Sequence, residues 1–479
     1  MLPVGTQSGS NADFLFREVY RQAMPWSVAV GCPAWGMLRE MAQVEDGGGL
    51  NFNFNVKTEL SGAAGFGGPN YLKSSGAAQP NQGISYFPMP REGKQGKGTA
   101  SYKEYQAQGV ITQNSINRAK KSGAAAMDVE AEVDTEAAFG MAKTIERALF
   151  RNVYSSGTVT GVLGVVLADA TAATTMTMTV NVDLGHCRQF YAGMQLAWGT
   201  ALQLTDTTSI LQQTGRLISY TVDSAGVVSL VVASPNATNI DATAGHLIVV
   251  GDNAQGATYT AFDVNPWNGY NREITSFREM ALDSGTLFGL DPTVHLSWKG
   301  VADTSTSRRA LTATALKRWM TKFSQLNQAP KDGASSFAEA GNIEKGAPSC
   351  LFMSDYLLPD FEAALPGITL QQPLDPEMGL DETRLTFNVN GKPIKIVTSP
   401  RHPPDEITAV DFKAVNRVVL AEIAEVSTPD GQTYQTLPGS PTTYFKAWMG
   451  QGEVICTRRR GIGYFADIDV DWTKVALED

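Results

Sequence analysis

Between Leu50 and Val56 the chain alternates apolar and polar side chains without a break, Leu50-Asn51-Phe52-Asn53-Phe54-Asn55-Val56, a period of two that predicts a strand with one apolar face. Before it, residues 11 to 45 mix short helical patterns (Phe14, Leu15, Val19, Tyr20, Met24) with irregular Pro and Gly, and read as an extended arm with a helix in it. After it, glycine is dense from Gly47 to Gly98 and residues 102–112 are again extended, so the two extended stretches predict a long hairpin with an elaborate tip. Ordering about fifty Gly-rich residues costs on the order of 50 to 100 kcal/mol of backbone entropy, which contacts among glycines do not offset. Such a hairpin is expected to be held from outside, most simply by a neighbouring copy.

From about residue 125 to 152 the pattern becomes helical: Val129, Val133, Ala137, Met141, Ile145 and Leu149 make one apolar stripe. Acids (Asp128, Glu130, Glu132, Asp134, Glu136) crowd its first half and bases (Lys143, Arg147, Arg151) its second, which complements the helix dipole and predicts one helix of roughly 40 Å. Residues 159–167, 174–182, 215–222, 226–233 and 246–250 are β-branched runs separated by turn residues, and predict a small β-barrel or sandwich. From Arg308 onward the pattern is α+β. It comprises a helix through Leu316, Trp319 and Phe323, a buried strand at 350–353, a helix at 355–364 capped by Ser354, and a hairpin around Asn390-Gly391. The end reads as strands at 444–449, 453–458 and 464–470, with a turn at Gly450-Gln451-Gly452.

Length sets a scale of roughly two to four domains for these 479 residues. With 43% hydrophobic and only 18% charged residues the chain is an ordered, β-rich protein, much of whose outer surface is expected to lie against other subunits. A net charge of −10 with thinly spread Lys and Arg leaves out the basic footprint of specific DNA or RNA binding. The four cysteines (Cys32, Cys187, Cys350, Cys456) have no zinc or disulfide spacing and read as reduced, buried thiols. No signal peptide and no run of about 18 apolar residues is found, so synthesis and assembly in a cytoplasm without membrane contact are expected.

Candidate chemistry is sparse, and no catalytic, cofactor or metal residue is assigned. There is no P-loop; the glycines at 62–68 lack a strand-to-helix context; His186, His246, His295 and His402 have no metal spacing. His186 and Cys187 are adjacent and would point to opposite faces of a strand. Asp467 and Asp469 would share a strand face, where a solvated role outweighs a calcium or glycosidase role. Arg458-Arg459-Arg460 could meet DNA or carboxylates of another subunit, and the subunit contact is the expectation.

The order of arm, Gly-rich hairpin, long helix, β-rich insert, α+β segment and long terminal strands resembles the tailed-bacteriophage major capsid proteins of the HK97-like fold. Gly285-Thr286-Leu287-Phe288-Gly289-Leu290 and His295-Leu296-Ser297-Trp298 are similar to short signatures of that family. The resemblance implies an α+β, HK97-like capsid fold with an inserted β-barrel or sandwich domain. It assigns an N-terminal arm (1–45), an E-loop hairpin (46–108), a P-domain with its spine helix (109–157), a β-rich insertion domain (158–255), a connection (256–304), an A-domain (305–440) and returning P-domain strands (441–479). The implied activity is structural, not enzymatic: a homo-oligomer of pentamers and hexamers forming an icosahedral virion head that encloses double-stranded DNA without reading its sequence. A separate scaffolding protein, a portal and a decoration protein are the further partners, assembly occurs in the bacterial host cytoplasm, and no cofactor is called for. Inter-subunit contacts are expected from Phe52, Phe54, Val56, Lys57, Lys73, Arg458, Arg459 and Arg460; crosslinking through Lys57 or Lys73 is the less favoured role for those lysines. The alternatives are an encapsulin-like compartment and a β-rich polysaccharide-active enzyme.

Overall fold

Asn51–Lys57 (β2) is a strand, but its partner is Gln95–Ser101 (β3), the end of the glycine run, and not residues 102–112 as the pattern suggested. The computed structural model describes residues 32–57, 95–112, 129–151, 162–181, 190–200, 204, 213–223, 227–234, 239–251, 272–305, 307–330, 343–344, 346–364, 386–389, 392–427, 435–437 and 440–470. The arm before Cys32, Lys73 and the His186-Cys187 pair lie outside the described residues. The antiparallel register sets Phe54 opposite Gly98, where a Cβ would stand 2.5 Å from the Phe54 ring. Gly98 is therefore the seat of a cross-strand aromatic ring, and the inner face of β3 is Gly96, Gly98 and Ala100.

Lys103–Thr112 (β4) pairs instead with Ser440–Cys456 (β22), from Thr443 to Gly452. The turn expected at Gly450-Gln451-Gly452 is absent, and β22 runs unbroken for 17 residues, about 55 Å. Those glycines serve close approach. A Cβ on Gly450 would meet Ile423 at 2.7 Å, and one on Gly452 the Val418 carbonyl oxygen at 2.7 Å. Val415–Glu425 (β20) and Gln435–Leu437 (β21) follow one another along one edge of β22 while β4 covers the other, and Gln43–Asp46 (β1) adds in parallel to β20.

The long helix (α2, Val129–Leu149) lies on β4 with Val133, Ala137, Met141, Ile145 and Leu149 buried, the predicted stripe. Its 21 described residues span about 31 Å, and residues 125–128 and 152 of the expected helix lie outside the described residues. Gly109 lets the helix settle, since a Cβ there would stand 2.1 Å from Val133 Cγ1. A short helix (α1, Pro33–Met41) crosses the other end of α2.

Among the described residues, six strands close a barrel in the order β10-β7-β5-β12-β8-β9: Val162–Val166 (β5), Thr175–Asn181 (β7), Gln195–Gly199 (β8), Gln213–Val222 (β9), Val228–Ala233 (β10) and Leu247–Val250 (β12). Ala170–Ala173 (β6) and Ile240–Ala242 (β11) form a small flap pinned by a hydrogen bond from Trp198 Nε1 to the Asp241 carbonyl at 2.7 Å. Val162 pairs with Val249, so the chain enters and leaves the barrel side by side.

A six-stranded sheet, β13-β23-β19-β16-β18-β17, is built from Val301–Asp303 (β13), Cys350–Met353 (β16), Thr386–Val389 (β17), Lys392–Thr398 (β18), Ile407–Val410 (β19) and Ile462–Phe465 (β23). β17 and β18 form the hairpin expected at Asn390-Gly391, with Val389 opposite Lys392. Ala329–Pro330 (β14) and Ile343–Glu344 (β15) form a separate short pair. The two helices cover opposite faces of the sheet: Phe277 of Phe277–Ala281 (α3) stacks on Phe352 at 5.9 Å, while Trp319 of Ala313–Leu326 (α4) meets Phe465 on the other face with ring centres 5.6 Å apart and donates to the Val301 carbonyl at 3.2 Å. The helix expected at 355–364 begins at Leu358 (α5, Leu358–Ala364), because Ser354 Oγ accepts from the Tyr356 amide and closes a turn first.

Candidate functional site

Buried charges in this chain join elements. The segment 272–285 sits between α2, β22 and the turn after β22, and is tied to all three. Arg147 pairs with Glu273, and Arg151 pairs with Glu273 at 3.1 Å and Glu279 at 3.2 Å while donating to the Ile274 carbonyl. Glu453 of β22 accepts from the Thr275 amide at 2.8 Å, and burial pushes its carboxyl up to about 7. Arg147 and Arg151, read from the sequence as bases that complement the helix dipole, are also interior anchors.

The expected basic run behaves differently from its reading. Arg458-Arg459-Arg460 is not a strand with alternating faces, because Arg459–Gly461 is a 3-10 turn. Arg459 points inward and donates to the carbonyls of Glu279, Met280, Ser284 and Gly285 at 2.9–3.1 Å, so its guanidinium holds its own chain and is not available to another subunit. Arg458 pairs with Asp411 at 3.0 Å, and Arg460 is half-buried. Asp467 and Asp469 do not share a strand face: β23 ends at Phe465, Asp467 takes a positive φ of 62° and its carboxylate accepts from the Ser305 amide. Among the described residues no group of three or more His, Cys, Asp or Glu is placed to hold a metal, and no helix is long and apolar enough to cross a membrane. His402 is buried with its ring nitrogens on the Pro403 carbonyl and Thr408 hydroxyl. Cys350 and Cys456 are buried and Cys32 half-buried, and burial raises all three thiols.

A second joint lies where α1 meets α2. Glu146 of α2 accepts from the amides of Ala34 at 3.1 Å and Trp35 at 2.7 Å and from Ser399 Oγ at 2.8 Å. Cys32, at the N-cap of α1, makes no side-chain cap, so the carboxylate of Glu146 supplies it from another element. Burial pushes Glu146 up to about 7, outweighing three hydrogen bonds that favour the charged form. Sequence spacing could not have shown this, since Glu146 and its α1 partners are 111 and 112 residues apart.

Two surfaces remain open. The β2–β3 ribbon has one face on its own chain: Phe54 meets Phe288 edge-on at 5.7 Å, Phe52 stacks on Phe54 at 6.2 Å, and the Thr99 amide donates to the Phe288 carbonyl at 2.9 Å. Phe288 is held at a φ of 53° between Gly285 and Gly289, in a tight turn bridged by Leu287 and Leu290. Phe52, Phe54 and Val56 are half-buried there, so the base of the ribbon rests on this chain itself; Lys57 stands exposed at its end. The second surface is the far half of β20, where all six residues from Leu420 to Glu425 are exposed, Leu420 and Ile423 included. β1 covers β20 only up to Val419, which leaves the outer edge from Leu420 onward without a partner strand among the described residues.

No protein-family model and no curated protein matches the chain. Among solved structures it is similar to the protein of the cyanophage A-1(L) capsid asymmetric unit, at 11% identity over 94% of this chain and 96% of that one, with a TM-score of 0.48. It is similar to a chain of Mycobacterium phage Bobi at 9% identity over 94% and 95%, TM-score 0.40. It is also similar to a chain of the native GTA particle capsid at 9% identity over 98% and 100%, TM-score 0.38. These likenesses run nearly the full length of each chain, and at TM-scores below 0.5 they carry no inference about function by themselves.

Proposed function

We propose that this chain is the major capsid protein of a tailed phage, a structural subunit that assembles with copies of itself, as pentamers and hexamers, into a closed shell around double-stranded DNA. The observation that carries this reading is the β2–β3 ribbon, seven paired residues on each strand. Its inner face rests on the Phe288 turn, and its outer row of Asn, Lys, Gln, Thr and Ser is exposed with no third strand on either edge among the described residues. An isolated two-stranded ribbon is marginal in water, and an open edge is a template for another chain. The exposed far half of β20, with Leu420 and Ile423, supports the same conclusion, because an apolar edge of this kind is covered in a stable assembly.

The order of ribbon, long helix, barrel, helix-and-sheet unit and long returning strand supports the HK97-like assignment, in which residues 46–108 act as E-loop, 158–255 as insertion domain and 305–440 as A-domain. No cofactor is required, and scaffolding, portal and decoration proteins are the partners such a shell takes. The test is sedimentation and electron microscopy of the purified full-length protein. Ring-like capsomers or megadalton shells are expected. A monomer or small oligomer at every concentration that keeps the protein soluble would overturn the reading.

A further inference from the structure

We propose that Glu146 is a proton-operated latch that fixes α1 to the long helix α2. Three elements converge on one carboxylate: the first two amides of α1, the hydroxyl of Ser399 after β18, and α2 itself, which carries the group. A helix N-terminus normally finds its acceptor in its own preceding residues. Here Cys32 gives none, so undocking α1 from Glu146 uncaps the helix as well as separating two packed elements.

The surroundings make this junction responsive to protons. Lys143, on the turn of α2 before Glu146, and Arg401, from the segment after Ser399, both lie against the Tyr191 ring, with the Lys143 ammonium 4.0 Å and the Arg401 guanidinium 5.1 Å from its centre. Both also act on Cys32, whose thiol burial pushes up to about 11 and which stays neutral at physiological pH. His402, next in sequence to Arg401, packs edge-on against Phe150 at 4.7 Å and is held by Pro403 and Thr408. Of the other charged groups on the packed elements, Arg39 and Glu40 on α1 and Lys395 on β18 are exposed, Arg147 and Arg151 on α2 are buried in ion pairs with Glu273 and Glu279, and Arg417 of β20 lies over the Trp35 ring at 5.9 Å. Glu146 is the group at the centre that changes charge. A neutral carboxyl keeps its carbonyl oxygen for an α1 amide and its hydroxyl for Ser399, without a buried negative charge.

The sign follows from linkage. The docked carboxyl sits at about 7 against an ordinary 4.5, so docking is strongest below pH 4.5 and is lost as pH rises through about 7. Where undocking returns Glu146 to water, the docking equilibrium weakens by up to about tenfold per pH unit across that window and levels off above it. The latch does not depend on the shell reading; its consequence, that α1 is docked more firmly below neutral pH than above it during assembly, rests on it.

The test is hydrogen exchange of the α1 amides in the full-length unassembled protein between pH 5 and 8.5, corrected for intrinsic exchange. Protection should fall from pH 5 to 7 and then flatten. Glu146→Gln should give a flat profile, and Ser399→Ala, which removes a bond favouring the carboxylate, should move the midpoint upward. A flat wild-type profile, a slope that survives in Glu146→Gln, or a midpoint unmoved in Ser399→Ala overturns the latch. Sedimentation of the same samples reads shell formation separately, so particles without a latch, or a latch without particles, tell the two proposals apart.

Discussion

Arg459 satisfies four backbone carbonyls of a single bend, residues 279–285, from a side chain more than 170 positions away in sequence. Removing it leaves the buried carbonyls of Glu279 and Met280 unpaired, which costs more than losing an exposed ion pair. Arg459→Met, similar in length and without donors, should destabilise the subunit by about 3 kcal/mol or more in urea unfolding, while Arg460→Met should change it by less than about 1 kcal/mol. Equal effects would show that the inward placement has no energetic weight. At this scale the sequence misleads for a physical reason: three consecutive arginines look alike, and only the 3-10 turn decides which enters the interior. Glu146 and Glu453 were equally invisible, because their partners come from other elements and no local spacing encodes them.

Elements with a strong period were legible. The predicted stripe of α2 is buried at Val133, Ala137, Met141, Ile145 and Leu149, Asn390-Gly391 predicts the β17–β18 hairpin, and Leu316, Trp319 and Phe323 mark the inner face of α4. Strands whose buried positions carry no large side chain were not. The inner face of β3 is Gly96, Gly98 and Ala100, an alternation that hydropathy cannot register because two of the three have no side chain. In β22, Gly450 and Gly452 imitate a turn while admitting β20 at close range. In β8 four of five residues are buried, so no alternation exists to find. A proline at Ile145, buried in the stripe one turn before the helix ends, should cost about 3 kcal/mol or more by breaking the hydrogen-bond ladder. The barrel begins and ends on paired residues, so replacing residues 160–252 by a short linker should leave the rest folded. Soluble yield and circular dichroism rank the two variants, and the opposite ranking would show that the barrel belongs to the folding core.

For the whole molecule, the ribbon and the exposed half of β20 are the parts that the proposed shell would use between chains. Replacing residues 58–94 by a two-residue Asn-Gly turn keeps β2 and β3 and removes everything between them. The variant should remain folded and soluble yet give no stable shells by sedimentation, and shells of normal stability would remove that segment from the assembly mechanism. The sequence conveyed the architecture through the order of its elements and was silent on how the ribbon base is seated, since the Phe288 turn depends on backbone angles that residue identity only permits.

The unbroken 17-residue run of β22, gripped by β4 on one edge and by β20 and β21 on the other, has a mechanical consequence. Tension along that strand loads its lateral bonds sideways and all together, where a hairpin pulled at its mouth would open one rung at a time. In the proposed shell, such battens would resist internal pressure through many weak links sharing one load.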